Sequence, residues 1–359
     1  MSQIRMVLAD RDTLFMERFS EYLLKNRNPS FSLVLFSNGP KLQEWLESGE
    51  KADIMAISSA LYNDLDKKPD KENLVLLRDC PESMLPESFK SIFKYRPAGY
   101  LMKEIISLCA EKIPHDFDQH KDSGNINLVL YADGSDALNP FAQVLAAVKA
   151  GSGRKTLYIS LDEISNADAY FSGDNDRGLS EMIYYLKSQK DNLALKAEAC
   201  TTLDMDTGVY FMKGHHDPRD IAGLNEKELT SLLNSVSSKT LYDEVIVARG
   251  FSNDHLLPVL LNLAHRIYIT AFNYSSSLNR VRKIRDILWE TEQKYGLDLK
   301  NRAVFCITNV VPDPGILDPA NFDYEIKYLQ GPIFASNLAF ETMGRYYSDL
   351  KELIETSGD

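Results

Sequence analysis

Short apolar runs alternate with helix-period segments along the whole chain. Before residue 115 the runs fall at 4–9, 31–36, 53–57, 74–77 and around 92–95. Between them Leu14, Phe15, Arg18, Phe19, Tyr22 and Leu23 repeat at helical spacing, as do Leu42, Trp45 and Leu46. From residue 126 the rhythm resumes, predicting strands at 127–131, 156–161, 194–199, 208–213, 244–248, 266–271 and 303–308. Helices are predicted at 139–150, 178–188, 226–237, 253–263, 275–294 and 335–354. Alternation of this kind predicts α/β architecture with parallel sheets covered on both faces. Residues 110–125 lose the periodicity and gather Pro, Gly, Ser and charge, which marks a linker. The expected organisation is a domain at 1–115, a linker at 116–125 and a second domain at 126–359.

Length and charge agree with that division. A chain of 359 residues exceeds one ordinary core. Its formal net charge of -12 argues against nucleic acid or anionic lipid as the main ligand. The 4 cysteines are far apart, which predicts reduced thiols. MSQIRMVLADRD lacks the apolar core of a signal peptide, and no window matches a membrane span, so a cytoplasmic protein is expected. No metal site is predicted. His215, His216 and Asp217 sit between Gly214 and Pro218 as a loop, and His255 and His265 read as structural. Arg280, Arg282, Lys283 and Arg285 are followed by Asp286, Glu290 and Glu292, which predicts a solvated or protein-facing helix.

The segment up to residue 115 resembles a response-regulator receiver, a flavodoxin-like domain. In that family, acids after the first strand bind Mg²⁺, an Asp ending the third accepts phosphate, and a Lys ending the fifth contacts it. The matching residues are Asp10 and Asp12, Ser58 in ADIMAISS, and Lys94. A serine hydroxyl cannot form the acyl phosphate and removes one charge from the metal pocket. Asp10 and Asp12 read either as remnants of that pocket or as N-caps of the helix from Thr13. Lys94 reads as a surface lysine. A pseudo-receiver used for docking is the expectation.

YADGSDALNPF, TLYISLDE, GLSEMIYYLK, YDEVIVARG, LAHRIYITAFN and CITNV follow one another in the order found in MinD/ParA-type deviant P-loop ATPases. With the receiver-like segment in front, the chain resembles the TadZ/CpaE proteins of Flp (Tad) pilus assembly. The fold this implies is two doubly wound parallel-sheet domains, one receiver-like and one P-loop NTPase-like. Against the family loop KGGxGKTT, the residues here are Asp133, Gly134, Ser135, Asp136, Ala137, Leu138, Asn139 and Pro140. The dimer-spanning Lys becomes Asp133, the phosphate-binding Lys becomes Leu138, and the Mg²⁺-binding Thr becomes Asn139. Unit charges about 4 Å apart at a protein surface interact by roughly 4 kcal/mol, so exchanging attraction for repulsion abolishes tight triphosphate binding. Asn139-Pro140 also reads as N-cap and N1 of the next helix. Ser160 replaces one family acid while Asp162 survives, and Ala248 stands where an Asp anchors the metal. Asn309 matches an adenine-edge contact, or is a turn asparagine ending a strand.

What the resemblance implies is a non-catalytic scaffold that localises pilus or secretion machinery by docking and self-association as a homodimer. No cofactor is then expected, and nucleic acid is not a partner. Acidic residues Glu341, Asp349, Glu352, Glu355 and Asp359 outnumber Arg345 and Lys351 near the C-terminus, against a direct membrane anchor. Recruitment to a cell pole or membrane machinery would then run through partners. The alternative is a divergent ATPase that still binds ATP or ADP with Mg²⁺ and switches dimerisation. A further one is a response-regulator-like signalling protein.

Overall fold

The computed structural model describes residues 4–25, 31–80, 89–109, 124–134, 139–188, 192–237, 241–309, 322–326 and 348–354. The chain divides into two compact units, Met1–Lys121 with Ser188–Ala199, and Asp122–Lys187 with Cys200–Asp359.

In the first unit the elements are β1 (Ile4–Ala9), α1 (Thr13–Lys25), β2 (Phe31–Phe36), α2 (Gly39–Glu47), β3 (Ile54–Ser58), α3 (Ser59–Asp64), β4 (Leu74–Arg78), β5 (Ser91–Phe93) and α4 (Ala98–Cys109). The strands form a parallel sheet in the flavodoxin-like order β2-β1-β3-β4-β5. Alternation along β1 sends Ile4, Met6 and Leu8 into one core, against Phe19 of α1 and Leu101 and Ile105 of α4. Val7 and Ala9 enter the other core, against Leu42 of α2 and Leu61 of α3.

The second unit runs β6 (Asn125–Tyr131), α5 (Phe141–Gly151), β7 (Thr156–Ser160), α6 (Ala167–Tyr170) and α7 (Leu179–Lys187). Next comes α8 (Leu193–Ala199), which belongs to the first unit: it packs on α4, and Leu195 is buried in the same core as Phe19. A strand was expected at 194–199. The local sequence LALKAEA is instead made of strong helix formers without a β-branched residue, and it is helical. The second unit continues with β8 (Thr201–Leu203), β9 (Tyr210–Met212), α9 (Arg219–Ala222), α10 (Glu226–Val236), β10 (Glu244–Gly250), α11 (Leu257–Leu263), β11 (Arg266–Phe272), α12 (Ser275–Tyr295), β12 (Ala303–Thr308) and β13 (Tyr324–Ile326). Of the predicted helix at 335–354, only 348–354 lies within the described residues, and it is helical.

Its strand order is β13-β12-β11-β6-β10-β7-β9-β8, parallel except between β8 and β9. β6 is central, and Tyr131 at its end pairs with Gly250 of β10 on one side and Thr270 of β11 on the other. The connections part to either side of β6, so the crevice beyond its carboxyl end is where an open α/β sheet takes a ligand. α5 runs from that crevice with every residue from Phe141 to Lys149 buried, as its nearly uniform apolar surface requires. Among the described residues, no helix is long and apolar enough to cross a membrane.

Candidate functional site

At the mouth of the central strands the loop leaving β6 is tied to its neighbours. The Phe251 N–H donates to the Tyr131 carbonyl at 2.9 Å, and the Ala132 N–H donates to the Thr270 carbonyl at 2.9 Å. The Asp133 carboxylate accepts from the Phe272 N–H at 2.7 Å. Gly134 has a φ of 115°, a left-handed conformation suited to glycine. A Cβ added at Gly250 would lie 1.9 Å from the Gly134 carbonyl oxygen, so two backbones meet where no side chain fits.

Helix α5 begins here, and its first amides already have partners. Asn139 accepts from the Phe141 N–H at 3.2 Å and donates to the Thr270 hydroxyl at 3.0 Å. The Tyr131 hydroxyl accepts from the Ala142 N–H at 3.2 Å and donates to Gln143 at 3.4 Å. Gln143 in turn donates to the Tyr158 hydroxyl at 2.8 Å. Tyr131, Gln143 and Tyr158 are all fully buried, so each polar atom had to find a partner inside the protein. Asn139 was expected as N-cap with Pro140 at N1. The helix starts one residue later, with Pro140 in the cap position and Asn139 bridging to Phe141 in an Asx-type turn. Ser135, Asp136 and Leu138 lie outside the described residues.

Beside the loop, Ala248 of β10 is in register with Ser160 of β7. Ala248 brings only hydrocarbon, and the buried Ser160 Oγ has no hydrogen-bond partner among the described residues. Asp162 lies just beyond and accepts from the Gly250 N–H. On the other side, Asn309 uses both ends of its carboxamide: it accepts from the Asn273 amide at 2.9 Å and donates to Glu325. Arg249 is buried and pairs with Asp254 at 2.7 Å. Burial would raise the Asp254 carboxyl, but the Arg249 guanidinium outweighs it and holds the carboxyl below its ordinary range. Sequence reasoning missed Tyr131, Gln143 and Thr270. A glutamine within the apolar stripe of α5 was the available signal.

Mg²⁺ and a nucleotide are what the fold family would place in this crevice. The described residues do not fit them. Asp133 presents a carboxylate, Ala248 offers no donor, and the amides of Phe141 and Ala142 are already bonded to side chains. Among the described residues, no cluster of three or more His, Cys, Asp or Glu could hold a metal ion. His215 bonds the Glu163 carbonyl at 2.8 Å, and His255 bonds the Leu224 carbonyl at 2.9 Å. His265 accepts from the Ile126 N–H at 3.1 Å.

In the first unit, Lys94 was expected at the surface and is instead buried, its side chain 3% exposed. Its ammonium pairs with Asp10 at 2.8 Å and Asp79 at 2.5 Å, with Asp12 at 4.0 Å. These acids arrive from the ends of β1 and β4, distant in sequence, which is why the burial is invisible in the local pattern. Burial alone would lower the Lys94 pKa; the bonds to Asp10 and Asp79 reverse that and raise it. Asp12 accepts from the Phe15 N–H at 3.0 Å and so caps α1. That bond is the main cause holding its carboxyl below the ordinary value; burial opposes it, and Lys94 and Tyr95 add to the lowering. The two readings of the acidic pair thus divide, with Asp10 in the ion pair and Asp12 capping. Ser58 is buried and caps α3 through the Leu61 N–H at 3.4 Å.

No protein-family model matches the chain, and no curated protein matches its sequence. Solved structures do match it in fold. The septum site-determining protein MinD of Pyrococcus horikoshii OT3, complexed with Mg-ADP, aligns over 65% of this chain and 95% of its own, with 14% identity and a TM-score of 0.51. The cell division ATPase MinD of Pyrococcus furiosus aligns over 65% of this chain and 99% of its own, with 15% identity and a TM-score of 0.50. About two thirds of the chain therefore has the parallel-sheet P-loop NTPase-like fold of these MinD structures.

Proposed function

We propose that this protein is a cytoplasmic docking scaffold built on a MinD/ParA frame, with a receiver-like unit fused to it. On this reading it acts as TadZ/CpaE proteins do, localising Flp (Tad) pilus or secretion machinery. Self-association as a homodimer and contacts with assembly proteins are its activity, and partners recruit it to a cell pole or membrane machinery. One observation carries the reading. The crevice beyond β6 is satisfied from within, by Asp133 on the Phe272 amide, Asn139 on Thr270 and the Tyr131 hydroxyl on the Ala142 amide. Positions where the resemblance puts metal-holding acids carry Ser160 and Ala248. Hydrolysis of a triphosphate needs a metal, a phosphate-binding cation and a placed water together.

Calorimetry of the full chain with ATP and MgCl₂, beside sedimentation with and without nucleotide, tests this. No heat of binding and an unchanged dimer support the scaffold. Micromolar binding, or a dimer that forms only with ATP, overturns it. The second reading, a divergent ATPase that binds ATP and switches dimerisation, is favoured by the fold itself, because one MinD neighbour was solved with Mg-ADP. A signalling role through phosphorylation of the receiver-like unit is opposed by Ser58, whose hydroxyl caps α3.

A further inference from the structure

Beside the Lys94 cluster, the first unit holds a cleft of about 330 Å³. Phe15 and Phe19 of α1 and Leu101 of α4 give it apolar walls. Tyr95, 55% exposed, stands at its edge with Leu14, also 55% exposed. The polar lining is asymmetric. Lys94 is present, but its charge is already taken by Asp10 and Asp79. Asp12 is the acid on the wall, engaged by the Phe15 amide and the Tyr95 hydroxyl. Arg18 and Arg96 line the same cleft, and among the described residues neither has an ion-pair partner. Arg96 packs over the Tyr100 ring at 4.6 Å, which holds its guanidinium near the opening.

Two guanidiniums without carboxylates, next to stacked aromatic walls, make a recognisable pattern. Phe15 and Phe19 lie parallel, with ring centroids 5.9 Å apart. A flat apolar group fits such walls, and a planar oxyanion matches the guanidinium fork. The volume is at the small end of ligand pockets, so the apolar body is one or two rings or a short chain. We propose that this cleft binds a small amphiphilic carboxylate, its apolar body between Phe15, Phe19 and Leu101 and its carboxylate on Arg18 and Arg96. Asp12 opposes the anion and thereby limits affinity, and Tyr95 links an occupied cleft to the Lys94 ion cluster.

The full chain is titrated with 2-naphthylacetate and its neutral isostere 2-naphthylacetamide, by calorimetry and saturation-transfer NMR. The acid binds in the high-micromolar to low-millimolar range, and the amide is weaker by at least about fivefold, as the loss of one or two charge-assisted contacts predicts. R18Q/R96Q brings the acid to the affinity of the amide. D12N keeps the helix cap, since Asn serves there as well as Asp, and tightens the acid about two- to fivefold while leaving the amide alone. Ala98 lines the same cleft, and A98W fills it and abolishes both. If A98W does not fold, L14E replaces it: at an exposed position it leaves the fold intact and weakens the acid at least about threefold. Equal binding of acid and amide, indifference of the acid to R18Q/R96Q, survival of binding in a folded A98W, an unchanged acid affinity in L14E, or no binding up to about 5 mM each overturns the proposal.

Discussion

Removing the Lys94 ammonium by K94M leaves Asp10 without its cation in a place where water cannot replace it. The Asp10 side chain is 4% exposed and keeps the Asp12 N–H at 3.0 Å, so one hydrogen bond survives. Breaking a buried pair from one side costs about 3–5 kcal/mol, and the surviving bond puts the expectation near 3. With a urea slope of about 2 kcal/mol/M, the midpoint falls by roughly 1.5 M. Trp45 reports on this unit: it packs on Phe36 at 5.9 Å and under Arg5 at 5.6 Å. A W289F background leaves Trp45 as the sole indole, because Trp289 is exposed and its replacement is mild. One control makes the expectation strict. D10N/K94M removes the orphaned charge and recovers at least about 1 kcal/mol. For the parent, Lys94 has a raised pKa, so its contribution is complete below the unfolded lysine value and fades only in strong alkali. A loss under about 1 kcal/mol at pH 7, or a D10N/K94M variant no more stable than K94M, refutes the buried-charge reasoning.

D133A leaves the Phe272 amide without its acceptor and lowers the stability of the second unit by about 1–3 kcal/mol in thermal melts. G250A drives a Cβ into the Gly134 carbonyl, and the variant loses several kcal/mol or fails to accumulate in the soluble fraction. N225A breaks the capping box with Glu228 at the start of α10 and costs about 1 kcal/mol by denaturant titration. Because Asp254 has a lowered pKa, the Arg249–Asp254 pair stabilises above the unfolded carboxylate value and is lost as pH falls through the folded one; R249A should flatten the acid limb of stability below about pH 4.

Much of the architecture was legible because strand cores announce themselves. The runs at 4–9, 31–36 and 303–308 fold as β1, β2 and β12 with those same bounds. The failures have a common physics. Residues 194–199 looked strand-like as an apolar stretch, yet Ala, Leu, Lys and Glu prefer a helix, and only packing on α4 reveals which wins. Lys94 looked solvated because its partners, Asp10 and Asp79, are brought to it by the sheet and not by the local chain. Asp133 was legible as a charge reversal, but not as a hydrogen-bond acceptor for a strand end it meets 139 residues later. The same holds for Tyr131, whose hydroxyl reaches the first turn of α5.

Since 188–199 belongs with the first unit and the flanking residues with the second, the polypeptide passes from one to the other at 121, at 187 and again at 199. A fragment begun at residue 126 would carry Leu195 away from the apolar bed it occupies beside Phe19 and Ile105, and would offer that greasy helix to any neighbour in solution. A fragment ended at 115 would lack the piece that covers α4. A single protease cut between 110 and 125 would not free either half, because 188–199 would still stitch them together.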